Sequence, residues 1–362
     1  MSRGFIPAPV KWFAIRMKAA CTLFLRLIFI TVFLFGGIIS AADRNEPQEV
    51  PNPRKKEIPR ITLKNISPPF KNYEYYRDYQ KYGFQFNATE FNIINAWWLA
   101  EASTLVYADE NFVRTQFSKA GLREVRFFDH QSTQCFVASN DKFAIIAFRG
   151  SEIWKRKGKF DFNKIFADLI ADVDVRLTDW PGGGKVHRGF KDALDEVWLE
   201  LAVYIRQLND KGCKIWITGH SLGAALATLA ADRYGNVQGV YTFGSPRVGD
   251  GAFKKNFDAK AYRIVNNQDI ATWVPPPGWY EHVGDIKFID HEGNIHDHVI
   301  EKEAFENQPR DELYGQEAPN QPSKRGSSSL IPDFFKDHVP LLYTIHLWNN
   351  VVDIPNYGRS QP

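Results

Sequence analysis

The sequence predicts an α/β fold with a mainly parallel central sheet and helices on both of its faces. Three observations carry this. Between residues 142 and 265 short apolar runs alternate with stretches of helical periodicity, the order that builds a parallel sheet. One run, Ile215-Trp216-Ile217, leads straight into Gly219-His220-Ser221-Leu222-Gly223 and then a small-residue helix. At 362 residues and 44% hydrophobic content, the chain is long enough to bury a sheet from both sides.

Taken in order, residues 1–42 contain five basic side chains and no acid, followed by an apolar run from Leu27 to Ile39 and the small residues Ser40-Ala41-Ala42. That is the order of a secretory signal peptide, and a start at Met17 would make it an ordinary one. The alternative is an uncleaved anchor over 19–42. The expectation is an exported protein, secreted or periplasmic, or else one held at a membrane. The formal charge of +3 rests on this leader, since 45 basic residues face 42 acidic ones and five of the basic ones lie here. A near-neutral body gives no electrostatic basis for binding nucleic acid.

Residues 43–84 are rich in proline and charge and read as a linker or N-terminal arm. The main domain is expected over 85–355, with a polar insertion at 306–329 and a tail at 356–362. Within it, 134–139 and 142–148 read as a hairpin turning at Asn140-Asp141. Leu194, Val197, Trp198, Leu201, Ile205 and Leu208 mark an amphipathic helix. Strands follow at Lys214 to Thr218, Gly239 to Phe243 and Tyr262 to Val265, with helices at Leu222 to Tyr234 and near Ala252 to Phe257. Export permits a disulfide between Cys135 and Cys213 but does not demand one. Asn65 and Asn87 lie in glycosylation patterns.

A lone Gly-x-Ser-x-Gly arises by chance in roughly one chain in ten of this length. Its place between a strand and a helix is the stronger signal, because a serine in that strained turn needs small neighbours two positions away. Ser221 is therefore the candidate nucleophile, and the Leu222 N–H a candidate oxyanion donor. The acid must follow the next strand but one. Asp269 sits there, in Asn266-Asn267-Gln268-Asp269, whereas Asp250, Asp258 and Asp285 fall in a turn, a helix end and a hairpin. With the base expected after the acid, His282, His338 and His346 remain. His291, His296 and His298 invite a metal reading, but their spacing fits a solvated turn. The chemistry calls for no metal or organic cofactor.

Several spaced segments together resemble the class 3 lipase family, the fungal-type triacylglycerol lipases with an α/β-hydrolase fold, over about residues 85 to 350. They are Ala100 to Asp109, which is similar to the family's first core helix, Ala147-Phe148-Arg149-Gly150-Ser151, Val186-His187-Arg188-Gly189-Phe190, Thr218 to Ala227 and Tyr241 to Gly249. The resemblance implies a second oxyanion donor at Ser151 and supports Asp269 as the acid. It selects His338, in Asp337-His338 followed by Tyr343, as the base. It also implies a lid at residues 152–167, here unusually basic and aromatic. The implied partner is a lipid ester at a membrane or droplet interface, either triacylglycerol or a phospholipid acyl bond. A catalytically inactive lipid-binding protein is the reading from another class, and the full set of catalytic residue types argues against it.

Overall fold

The computed structural model describes residues 52, 54–62, 65–150, 176–299, 331 and 333–355. The leader at 1–42, Ser151, the lid segment 152–167, the insertion 306–329 and the tail 356–362 lie outside the described residues. Among those described, no helix is long and apolar enough to cross a membrane.

The elements run α1 (Ile93–Leu105), α2 (Glu110–Lys119), β1 (Glu124–His130), β2 (Thr133–Ser139), β3 (Phe143–Phe148), β4 (Leu177–Asp179), β5 (Lys185–His187), α3 (Arg188–Asp210), β6 (Lys214–His220), α4 (Leu222–Tyr234), β7 (Gly239–Phe243), α5 (Gly251–Asn256), β8 (Ala261–Asn266), β9 (Asp285–Ile289), β10 (Ile295–His296), α6 (Asp333–Lys336) and α7 (Pro340–Val352). Eight strands form one sheet in the order β1-β2-β3-β6-β7-β8-β9-β10. The five from β3 to β9 are parallel neighbours, and antiparallel strands close both edges. The mainly parallel sheet expected from the sequence is present.

Both sheet faces are buried, so the strands carry apolar residues at successive positions and sort them by alternation. Ile145, Ala147, Trp216, Tyr241, Phe243 and Ile264 face α1 and α7, in a cluster with Trp97, Trp98 and Trp348. Ala144, Ile146, Phe148, Ile215, Ile217 and Val240 face α3 and α4 on the other side. Along α3 the buried residues are Phe190, Leu194, Val197, Leu201, Ile205 and Leu208, each stabilising the packing by about 1.5–3 kcal/mol. The hairpin turn between β2 and β3 is held by Asn140, whose Oδ1 accepts from the N–H groups of Lys142 and Phe143 at 2.9 and 3.0 Å.

The first helix departs from the sequence reading. It starts earlier, where Asn92 Oδ1 caps the N–H groups of Ile94 and Asn95, and it ends at Leu105. Asp109 then caps α2 by accepting from Phe112 N at 3.0 Å. Cys135 and Cys213 are both buried free thiols.

The proline-rich segment packs firmly on the sheet's α1/α7 side. Ile61, Ile66 and Phe70 cluster with Leu341, Leu342 and Ile345 of α7. The Lys56 N–H donates to Asn349 Oδ1 at 2.8 Å, and Trp348 Nε1 donates to the Arg54 carbonyl at 2.8 Å. Beneath this arm Glu101 is fully buried, accepting from Trp97 Nε1 at 2.6 Å, from Tyr73 Oη at 3.0 Å and from the Tyr76 N–H. Burial pushes its carboxyl up to about 7 against the opposing pull of the Lys56 ammonium. A carboxyl raised on folding contributes stability that is present below its ordinary 4.5 and is lost as pH rises through about 7. Glu101→Gln is expected to lose that slope and to lower stability by about 2 kcal/mol, because an amide N–H₂ would face donors. Thermal unfolding from pH 4 to pH 8 checks this, and an unchanged slope in the variant would remove Glu101 as its source.

Candidate active site

β6 ends at His220 and α4 begins at Leu222, leaving Ser221 alone at the turn with φ 60° and ψ −129°. That left-handed backbone is strained for a serine. The turn is tight enough that a Cβ at Gly219 would strike the Gly223 carbonyl, and one at Gly223 would strike the Phe148 carbonyl on β3. Small residues at both positions are therefore steric requirements. Leu222 opens α4, so its N–H has no acceptor within the helix and can serve an oxyanion.

The structure brings Ser221, His338 and Asp269 together. Ser221 Oγ lies 3.0 Å from His338 Nε2. On the other side of the ring, His338 Nδ1 lies 2.9 Å from each Asp269 carboxylate oxygen. All three side chains are buried. Asp269 follows β8 and also accepts from Ala271 N at 2.8 Å, which anchors the carboxylate to its own loop. Arg247 braces that loop by donating to the Trp273 and Pro275 carbonyls. Asp337, next to the candidate base, accepts from Asn267 Nδ2 and Gln268 N, each at 3.1 Å, and so ties the two segments together.

Burial by itself would raise the Asp269 carboxyl. The His338 charge and hydrogen bond, with the Tyr343 hydroxyl, outweigh it and hold the group below the usual carboxylate range. The alternatives lie elsewhere. His346 is on α7 with its Nδ1 beside Gly293, in the turn joining β9 and β10. Asp250 caps α5 through Phe253 N at 2.8 Å, while Asp258 and Asp285 are exposed. His296 Nε2 donates to Asp290 at 2.7 Å, and no group of three or more metal-ligating side chains gathers among the described residues. Ser151 is outside the described residues. Its neighbour Gly150 lies against the candidate nucleophile, since a Cβ there would come 3.3 Å from the Ser221 Cβ.

Two contacts here have no counterpart in the sequence reading. Tyr343 Oη donates to Asp269 Oδ2 at 2.6 Å and accepts from Asn266 N at 3.0 Å. The aromatic was visible after Asp337-His338, but nothing local indicated that it reaches the carboxylate. His220 lies with its ring 4.4 Å from that of His338. Tyr343→Phe removes a charge-assisted hydrogen bond and is expected to lower kcat about tenfold with KM nearly unchanged. Steady-state hydrolysis of a soluble ester measures it, and identical constants would make the hydroxyl irrelevant.

A serine held in strain between a parallel strand and a helix, with acid and histidine following in that order, defines the α/β-hydrolase class. Residues 145–279, from β3 to just past the Asp269 loop, match the family described as Lipase (class 3). The match includes Ser221 and Asp269 and stops short of His338. A lipase of Rhizomucor miehei is 35% identical over 175 residues, covering 43% of this chain and 45% of that protein. A secreted mono- and diacylglycerol lipase, LIP4, of Malassezia restricta is 38% identical over 30% of this chain and 41% of its own. Phospholipase A1-II 3 of Oryza sativa subsp. japonica is 33% identical over 33% of this chain and 38% of its own. The chain thus spans less than half the length of each of these relatives. A solved structure of the Rhizomucor miehei triacylglyceride lipase superposes with a TM-score of 0.44 at 27% identity, covering 55% of this chain and 80% of that one.

Proposed function

We propose that this protein is an exported serine esterase that hydrolyses the carboxylic ester bonds of lipids, with Ser221, His338 and Asp269 as nucleophile, base and acid. The observation that carries the reading is the unbroken line from Ser221 Oγ through the His338 ring to Asp269, at 3.0 and 2.9 Å. As Ser221 Oγ attacks the ester carbonyl, its proton passes to His338 Nε2, and Asp269 stabilises the imidazolium. The N–H groups of Leu222 and Ser151 hold the developing oxyanion. Collapse breaks the bond to the alcohol, which leaves with the proton from His338, and the acyl group stays on Ser221. Water, deprotonated by His338, then releases the fatty acid.

The family match and the lipase relatives support lipid esters as the substrate class. A phospholipid acyl bond is the second reading, favoured by the phospholipase A1 relative and by Lys155, Arg156, Lys157 and Lys159 in the segment 152–167. Those cations would meet anionic head groups, and Trp154, Phe160, Phe162 and Phe166 would meet the acyl region. The leader and this segment support export and contact with a lipid surface.

Hydrolysis rates on p-nitrophenyl esters, emulsified triacylglycerol and phospholipid vesicles test the reading, alongside labelling by a fluorophosphonate. Turnover of a lipid ester with labelling at Ser221 is expected. Binding to lipid with neither turnover nor labelling would make the protein a catalytically inactive lipid binder.

A further inference from the structure

The residue between Gly219 and Ser221 has no required role in the turn, because only its neighbours are constrained sterically. Here it is a histidine, and its surroundings are specific. His220 closes β6 on the same sheet face as Trp216, the face toward α1 and α7, and its side chain is buried. Its Nε2 lies 2.8 Å from the backbone carbonyl of His338. A carbonyl can only accept, so Nε2 carries the hydrogen, and in the uncharged ring Nδ1 is left as an acceptor. Nδ1 faces Tyr107 Oη at 3.4 Å, and Tyr107 Oη in turn lies where a Cβ on Gly150 would strike it, just past β3. Two polar contacts through the His220 ring therefore join Tyr107, packed against Gly150, to the backbone of the candidate base.

The two imidazoles are also neighbours face to face, 4.4 Å between centroids at 34°. Tyr343 completes the pocket, its ring 5.9 Å from His220. Burial, followed by the nearby His338 charge, pushes His220 down to about 3, while Asp269 and the His338 carbonyl pull the other way. The ring stays uncharged while its neighbour takes up a proton. An uncharged aromatic face beside a developing imidazolium is an attractive contact, whereas a second cation there would oppose proton transfer.

We propose that His220 is a positioning residue for ester hydrolysis: its Nε2–H holds the His338 carbonyl, and its uncharged ring lies against the imidazole that accepts the serine proton. The proposal rests on the esterase reading above. It adds that the nucleophile turn positions the base as well as the serine.

The test compares His220→Leu, His220→Gln and His220→Phe in the full chain, on a soluble p-nitrophenyl ester. Leucine keeps neither contact, glutamine can still donate to the carbonyl, and phenylalanine keeps only the ring face. Leucine is expected to lower kcat on the order of 30-fold with KM within about twofold, and glutamine and phenylalanine each to recover part of the loss. The low-field proton resonance of the His338 Nδ1–H bound to Asp269 should shift or broaden in the leucine variant and stay near its wild-type position with glutamine. Wild-type kcat in the leucine variant would overturn the proposal. So would losses that follow the drop in unfolding temperature, with glutamine no better than leucine. If the wild-type chain cleaves no ester, the esterase reading falls, and the low-field resonance alone then decides whether His220 orders His338.

Discussion

Ser221→Ala is expected to leave a folded protein whose ester hydrolysis is lower by a factor on the order of 10⁶. The hydroxyl is the only group at the turn placed to form an acyl bond, and its Oγ touches His338 Nε2 at 3.0 Å. Alanine keeps the Cβ and meets the same left-handed strain at φ 60°, so the turn itself changes little. What is lost is one hydrogen bond, about 1 kcal/mol of stability. Any remaining rate would come from oxyanion donors acting on a bound ester attacked by water. Initial rates on a p-nitrophenyl ester, together with the unfolding temperature, check both halves. Activity within tenfold of wild type would place the nucleophile elsewhere.

Asp269→Asn is expected to lower kcat by about 10⁴ while keeping the fold. The carboxylate accepts from three donors, His338 Nδ1, Tyr343 Oη and Ala271 N. Asparagine has one acceptor oxygen, so its N–H₂ must face either the Ala271 N–H or the tyrosine hydroxyl, and in both orientations it lies beside the imidazole. Facing the imidazole, it would turn Nδ1 into an acceptor and put the hydrogen on Nε2, where the serine proton has to go. The same residue sets a pH effect on stability. A carboxyl held below its ordinary 3.8 contributes stability that is present above that value and is lost as pH falls through its lower folded-state value. Acid unfolding of the wild type below about pH 4 should therefore include a step that the asparagine variant lacks. Equal kcat values, or superimposable acid-unfolding curves, would show that the carboxylate charge does not matter here.

How much of this was readable beforehand depends on whether the constraint is local. The elbow was legible because the turn needs small residues at Gly219 and Gly223, five positions end to end, and that need leaves a pattern in the chain whether the clash is with Gly223 itself or with Phe148 on β3. α3 was legible because its six buried positions recur at helical spacing. α2 and β1 were not identified. They border the sheet and bury little, α2 only Val113 and Phe117, so neither shows a clear period. His220 and Tyr343 passed without a role for another reason. Their contacts join residues 118 and 74 positions apart, and no local pattern records such a pairing. Choosing His338 over His346 by residue type and chain order alone was equally open, and the geometry separates them because α7 sends its own histidine toward the β9–β10 turn.

The arm over α7 has a consequence for the order in which this protein is made. Asn52 and Arg54 donate to the Val352 carbonyl, contacts spanning 300 and 298 residues. Contacts of that span close late, because the intervening chain must first be collected. During synthesis the arm and the strained serine turn leave the ribosome long before α7 does. On the proposed reading Ser221 spends that interval without its base, since His338 lies just before α7, on which the arm docks. The expected consequence is that activity is gained late in folding, which stopped-flow refolding would register as ester cleavage lagging behind the recovery of β-sheet signal.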